Sequence, residues 1–426
     1  MKTIVVVPLL AALFLFWDSD LCAQASWTKY PGNPVMTGGA SYSSVLTPCV
    51  IYNNDSSRYE MWFSATPSPS GARPFRIGFA VSRDGIGWTM HPSPVLAPSG
   101  GMWDAYTVEA PYVIRENRQY KMWYWGGAAF PATSIGYATS PDGVTWTKPV
   151  GNPVLSAGTS AWEAGSVGLP CVMAVPGGYR MWYAGATTSM QYGPLCIGLA
   201  TSADGISWQK DTTHNPILHP GNAGSWDDSY VSTPRVVRLG NLYFMWYTGA
   251  GTWMGEYRGG LATSPDGITG WVKDPANPVL RPSQSGWDGG EVEAGSVVAR
   301  GDTLYMWYDA AATSPYAVGR IGLAESRLAT SVEDGGGAPS KLILAQNYPN
   351  PFNPTTTIRY ELPRAAEVRL SVSDVLGREV SVLVDEWREA GAYEATFDGT
   401  SLASGVYVYR LMAGDVVQTR KLVLVR

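Results

Sequence analysis

At 426 residues the chain is long enough for one large domain and a smaller one. A net charge of -5, with only 15% charged residues, offers no basic surface, so nucleic acid and anionic lipid are not expected partners. The 18 Trp and 24 Tyr leave two readings, stacking platforms for sugars or core residues multiplied by duplication.

Residues 1–25 read as a secretory signal. Lys2 precedes the apolar run "IVVVPLLAALFLFW", and "AQA" at Ala23 to Ala25 supplies the small-residue cleavage site, leaving Ser26 first. Lipid attachment at Cys22 is disfavoured because Leu21 stands where a small residue is needed. No later apolar run approaches the length of a membrane span. Beyond the signal, Cys49, Cys171 and Cys196 are odd in number and read as buried thiols acting as small hydrophobes, not as a disulfide framework.

Residues 26–328 repeat one pattern five times. Trp27, Trp88, Trp146, Trp208 and Trp271 open units of about 60 residues. Each unit continues with "NPV" or a variant (Asn33, Ser93, Asn152, Asn215, Asn277), where an outer strand tolerates proline. "WD" or "WE" follows at Trp103, Trp162, Trp226 and Trp287, and is missing from the first unit. Then come a segment such as "APYV", "LPCV", "TPRV" or "AGSV", an "MWY" or "MWF", and finally "IGLATSxDGxxW", degenerate in the fifth unit as "IGLAESR". Each feature fits a short strand bounded by turn residues, with no sustained helical period. Four strands per unit, five times over, predicts an all-β, five-bladed β-propeller. The fifth unit stops after its third strand and the chain begins with an unpartnered outer strand, so the N-terminal strand is expected to close the last blade.

Residues 329–340 are polar and Gly-rich and read as a linker. Residues 341–426 then alternate apolar and polar positions in strands such as "EVRLSVSDVLGREV" and "GVYVYRLMAG", which predicts a small antiparallel, Ig-like β-sandwich. "YPNPFNP", "VSDVLGREV", "SGVYVYRL" and "KLVLV" resemble, in that order, the type A C-terminal sorting domain of the type IX secretion system. The resemblance implies that residues 341–426 engage that secretion machinery, and that the protein is secreted or displayed on the outer-membrane surface of a Gram-negative bacterium.

Repetition separates scaffold from site. A residue type present in every blade serves packing or turning, whereas a site at the centre of a ring needs residues that differ between blades. Most tryptophans recur; outside the signal and the tail only Trp125 and Trp253 do not. Asp84, Asp142, Asp204 and Asp266 recur in the DG turns, where aspartate accepts local backbone N–H groups and Gly supplies positive φ. Asp104, Glu163, Asp227 and Asp288 recur after Trp and read as structural acceptors. The candidates left on regular strands make a short list: Glu109, Glu293, Asp309 and Glu325.

Glu109 and Glu293 share a column of the innermost strand where the other blades carry Leu46, Gly168 and Ser232. Asp309 ends a second strand, and Arg76, Arg258 and Arg320 begin third strands on the same face. Glu109 and Glu293 as paired carboxylates, helped by Asp309, suit cleavage of a glycosidic bond: one acid protonates the leaving oxygen and another activates water or attacks the sugar. Trp125 and Trp253 would stack on sugar faces, and Arg76, Arg258 and Arg320 would bind hydroxyl or acidic groups. The bland alternative is that these acids and arginines form ion pairs lining a tunnel. Three histidines without Cys or His neighbours at ligand spacing argue against a metal, and no cofactor is expected.

"IGLATSxDGxxW", "MWYxG" and "EAPxV" together resemble the five-bladed glycoside hydrolase clan of arabinanases, xylosidases, levansucrases and invertases (families 43 and 32), over residues 26–328. The resemblance implies a Glu acid and Asp partners on inner strands, with Glu109 in "EAPYV" matching the acid best and Glu293 second. The departure lies in the first blade, where "SYSSVLTPCV" has no carboxylate although that family places a key Asp there. The expectation is a monomeric, exported glycosidase acting on extracellular poly- or oligosaccharide; the alternative is a non-catalytic carbohydrate-binding or adhesion propeller.

Overall fold

The computed structural model describes residues 27–39, 42–66, 74–129, 133–188, 194–251, 256–312, 318–327, 342–345, 347, 350, 352–414 and 416–425. The signal and linker segments lie outside them. The chain divides into two compact units, Met1–Leu328 and Ala329–Arg426.

The first unit holds five antiparallel blades. Inner strands are Ser44–Asn53, Thr107–Glu116, Ser166–Val175, Tyr230–Leu239 and Glu291–Arg300. Second strands are Arg58–Thr66, Gln119–Gly127, Gly178–Ala186, Leu242–Ala250 and Thr303–Ala311; third strands are Arg76–Ser82, Ser134–Ser140, Leu195–Ser202, Arg258–Ser264 and Arg320–Arg327. The outer strands are only two residues long, and the fifth blade takes its own from the N-terminus: Thr28 pairs with Glu325 and Lys29 with Ala324. Closing the ring this way leaves no long edge open to another chain.

The tryptophan surplus is packing. Trp62, Trp123, Trp182, Trp246 and Trp307 are fully buried. Four of them reach a DG turn of the next blade: Trp62 Nε1 donates to Gly143 O (2.8 Å), Trp123 to Gly205 O (2.8 Å), Trp182 to Gly267 O (3.0 Å) and Trp307 to Gly85 O (2.8 Å). Three of those carbonyls also accept the indole N–H of the outer-strand Trp of their own blade, Trp88, Trp146 and Trp208. The turn glycine sits at φ between 72 and 80°, and a Cβ on Gly143 would stand 2.9 Å from the Trp62 ring. Asp142 Oδ1 accepts the N–H groups of Val144 and Thr145, as its counterparts do in the other turns. The DG motif is a joint between blades.

A second joint explains "WD", "MWY" and "NP" together. In four blades a buried acid accepts from a lysine and a tyrosine: Asp104 from Lys148 (2.6 Å) and Tyr124 (3.0 Å), Glu163 from Lys210 (2.9 Å) and Tyr183 (2.9 Å), Asp227 from Lys273 (2.6 Å) and Tyr247 (3.0 Å), Asp288 from Lys29 (2.6 Å) and Tyr308 (3.3 Å). Burial and the adjacent acid push all four phenols above the ordinary tyrosine range. The asparagine before proline uses its amide as a strand residue would: Asn215 Oδ1 accepts from Leu199 N and its Nδ2 donates to Leu199 O, and Asn33, Asn152 and Asn277 repeat this. That side-chain pairing secures a short outer edge that carries a proline. In the first blade the acid is missing and its two partners become apolar with it: Phe63 replaces Tyr and Met90 replaces Lys, while Ser93 stands in place of Asn.

The second unit is a sandwich of a three-stranded sheet (Ile343–Leu344, Thr355–Leu362, Gly391–Asp398) and a four-stranded one (Glu379–Arg388, Ala366–Asp374, Gly405–Ala413, Val416–Leu424). Alternate residues Ile358, Tyr360, Val368, Leu370, Tyr409 and Leu411 fill its core. Buried Asn347 donates its backbone N–H to Tyr409 OH and its side-chain amide to Thr356 Oγ1, which anchors the start of the "NYPNPFNP" segment.

The joint between acid and lysine can be tested by substitution. Asp227→Ala leaves the Lys273 ammonium, only 26% exposed, without its partner and is expected to cost roughly 2–3 kcal/mol in denaturant titration. Adding Lys273→Met, which copies the first blade, is expected to recover part of that loss. Equal losses in the single and double variants would show that the stranded charge is not the source.

Candidate functional site

Every inner strand bulges at the same place. Pairing with the second strand skips between Leu46 and Cys49, Glu109 and Tyr112, Gly168 and Cys171, Ser232 and Arg235, and Glu293 and Ser296. In four blades the bulge is a left-handed residue before proline: Thr47, Ala110, Leu169 and Thr233, at φ from 47 to 53°. A bulge turns backbone N–H groups away from their own sheet, and these need acceptors from elsewhere. Ala110 N donates to Ser64 Oγ of the first blade (2.7 Å), Ala294 N to Thr248 Oγ1 of the fourth (3.0 Å), and Thr47 N to Asp309 Oδ1 of the fifth (3.1 Å). Lower on the inner strands the acceptors are Cys49 Sγ for Val113 N (3.1 Å), Cys171 Sγ for Val236 N (3.2 Å) and Ser296 Oγ for Val50 N (2.8 Å). The thiols therefore bridge blades as acceptors, beyond filling space, and burial raises both their pKa values, that of Cys49 to about 11.

The fifth blade concentrates the acids. Glu293 stands opposite Asp309 in the register, and Glu291, two residues earlier, shares its face of the strand. Asp309 is 2% exposed, whereas Glu293 and Glu291 keep accessible surface. Thr233 Oγ1 lies 3.5 Å from Glu293 Oε2. Burial raises both carboxyls; Asp309 is pushed up to about 7, and Glu293 is driven well above the usual range by burial, Asp309 and Glu291. The charge that opposes this is Arg235, which reduces the shift on both acids.

Arg235 is absent from the sequence candidates. It occupies the column of Cys49, Tyr112, Cys171 and Ser296, so it is the one charged member of that ring; "TPRV" carries the signal within a segment that otherwise reads as ordinary strand. The side chain is 3% exposed, packs 5.9 Å from the Tyr112 ring, and donates Nη1 weakly to Pro170 O (3.4 Å) and Pro234 O (3.3 Å).

Glu109 lies on the inner strand of the second blade, paired with Trp125, and both are 5% exposed. Trp125 is thus no open stacking platform. Its ring fills the space over Gly168, where a Cβ would come within 2.6 Å, and joins a buried cluster with Ala184, Leu195 and Tyr230. Trp253 lies outside the described residues. Arg76, Arg258 and Arg320 do begin third strands and are part-buried. Arg258 is engaged by Glu256 through Nε (3.0 Å) and Nη2 (2.9 Å), not by the tunnel acids. Glu325 is exposed near the outer edge of the fifth blade, away from the site.

Five four-stranded blades around a tunnel lined with non-repeating acids define a propeller of the glycoside hydrolase type. Residues 29–149 match the model of β-1,4-mannooligosaccharide phosphorylase, glycoside hydrolase family 130, and residues 346–425 match the secretion system C-terminal sorting domain. Two uncharacterized proteins of Mycobacterium tuberculosis are 31% identical over 184 residues, 41% of this chain, and 30% identical over 224 residues, 50% of this chain. The chain spans 57% of the first relative and 71% of the second. In fold it is similar to a glycosyl hydrolase from Bacteroides ovatus (17% identity, TM-score 0.54, 70% of this chain and 92% of that one). The β-1,2-mannobiose phosphorylase of Listeria innocua is similar to the same degree (16%, TM-score 0.54, 71% and 97%). Residues 29–149 are thus similar to family 130, the fold is that of the five-bladed glycoside hydrolase propellers, and the sorting domain directs the chain to the cell surface or the extracellular space.

The shifted acids set a pH dependence. A carboxyl whose pKa is raised by folding stabilises the protein below its ordinary value near 4, and that stabilisation is lost as pH rises through the folded value, here about 7 for Asp309. Asp309→Asn keeps an acceptor for Thr47 N and removes the titration. The variant is expected to gain at least about 1 kcal/mol on wild type between pH 5 and pH 7.5 in urea melts. A stability difference that does not change with pH would contradict this assignment.

Proposed function

We propose that the propeller is an exported enzyme that cleaves glycosidic bonds in an extracellular oligo- or polysaccharide. One observation carries the reading: Glu293 combines accessible surface with a burial and charge environment that raises its proton affinity well above that of an ordinary carboxylate and so favours the acid form. A carboxylic acid in that state can deliver its proton to a leaving glycosidic oxygen. Asp309, fixed by Thr47 N–H, maintains the high proton affinity of Glu293 and takes part in sharing its proton. Glu109, from the second blade, is the second carboxylate, set to activate the attacking water or phosphate. Arg76 and Arg320 contact the sugar on this face, whereas Arg258 is held by Glu256; Trp253 remains a candidate for stacking. The family model makes β-linked mannooligosaccharides the first substrates to try, with and without inorganic phosphate.

A second reading, sugar binding without cleavage, is favoured by two observations. Glu109 is buried, and Leu46 occupies the column of the first blade where the clan's key acid is expected.

A screen of mannooligosaccharides and aryl glycosides, monitored with and without phosphate, separates the two. Glu293→Gln is expected to reduce kcat roughly 10²–10⁴-fold on natural linkages and less on aryl glycosides whose leaving group needs no proton. The alkaline limb of the wild-type pH profile is expected to move to lower pH in Asp309→Asn, because a negative neighbour that raises Glu293 is gone. Turnover unchanged in Glu293→Gln would overturn the assignment of the acid. Saturable sugar binding with no turnover under either condition would establish the second reading.

A further inference from the structure

A cavity of about 390 Å³ lies among four inner strands, lined by residues that follow the bulges and not by the acids. Its depth is formed by Cys49, Tyr112, Arg235 and Ser296, and its outer part by Tyr52 and Arg115, near the hairpins that join inner to second strands. It lies towards the C-terminal ends of the inner strands, whereas Glu291 and Glu293 sit at the N-terminal end of theirs. Among the described residues that line it are two arginines and no acid.

Arg235 is the unusual member. A guanidinium has one edge, Nε with Nη2, that matches two oxygens of a carboxylate or phosphate side by side. Elsewhere in this chain that edge is used in this way by Arg258, whose Nε and Nη2 donate to the two carboxylate oxygens of Glu256. In Arg235 the weak contacts to two carbonyls occupy only Nη1, while Nε and Nη2 are buried without a hydrogen-bond partner. Two charge-bearing donors left unmade in a protein interior are costly unless something accepts from them. The nearby side chains are engaged elsewhere and make no hydrogen bond to this edge: Ser296 Oγ pairs with Val50 N and O, and Cys171 Sγ accepts from Val236 N. Arg115 at the outer part is held by Asp55 through Nη2 (2.8 Å), which leaves the cavity positive at depth.

The geometry points to an oxyanion site in this lower cavity, in which Arg235 holds a carboxylate or phosphate group through its Nε and Nη2 edge. The ligand class is a small organic or inorganic oxyanion; the valines and isoleucines that make up most of the remaining lining suit an apolar body attached to it. The proposal does not rest on Glu293 being an acid catalyst.

The full chain can be titrated calorimetrically with inorganic phosphate and, separately, with acetate. Saturable binding of one equivalent of either is expected, and the anion preferred tells phosphorylated from carboxylated ligands. Arg235→Lys keeps the charge but not the two-donor edge, and is expected to weaken binding by about tenfold or more. In parallel, crystals of the wild type grown without sulfate or phosphate and soaked in selenate are expected to show an anomalous peak on the Nε and Nη2 edge of Arg235. This second arm serves even where the variant does not fold. Undiminished affinity in Arg235→Lys, no saturation by either anion in the millimolar range, or selenate ordered only elsewhere would each overturn the proposal.

Discussion

A bulged strand leaves backbone N–H groups pointing away from their own sheet, and this propeller is organised around finding acceptors for them. Five inner strands crowd one axis, and each bulges after its third residue. The acceptors come from the neighbouring blade: a hydroxyl from Ser64, another from Thr248, a carboxylate from Asp309, thiols from Cys49 and Cys171, and a hydroxyl from Ser296. Each satisfied N–H is a tie between blades in a part of the molecule where water is scarce. Function and architecture meet here, because the column that supplies acceptors is also the column that faces the tunnel.

Asp309 carries the consequence of that overlap. At its position Ser64 and Thr248 perform the same bridging task without charge, so the task alone does not require an acid. Using a carboxylate there places a negative group against Glu293 at the junction of the first and last blades, and the pair then competes for ionisation in a poorly solvated space. The chemical character of the site is thus an elaboration of a packing position, made at the seam where the ring closes.

Much of the fold is legible in the sequence because repetition makes it so. Five copies of the same buried tryptophan count the blades, and the orphan N-terminal strand points to the closure. The DG aspartates and the acids after Trp belong to the scaffold, as their recurrence implies, since one blade after another has the same problem to solve with them. The hidden part depends on relations across blades that no single repeat displays. Trp125 is buried because Gly168, on a different blade, leaves room for its ring. Arg235 differs from its column mates only in a segment that otherwise reads as ordinary strand. Arg258 looks free to meet a substrate until the fold brings Glu256 alongside.

The closure by Thr28–Lys29 has a temporal side. Lys29 is tied to Asp288 and Asn33 to Leu323, contacts spanning 259 and 290 residues. A chain that is threaded through a membrane amino end first delivers this strand at the outset and its partners almost at the end. The first segment to emerge is therefore among the last to be placed, and until then the fifth blade lacks its outer strand. Contacts of such separation are formed late and against the entropy of the whole intervening loop. The seam is consequently a checkpoint on completeness: a propeller interrupted before Arg320 lacks the strand with which its own beginning pairs.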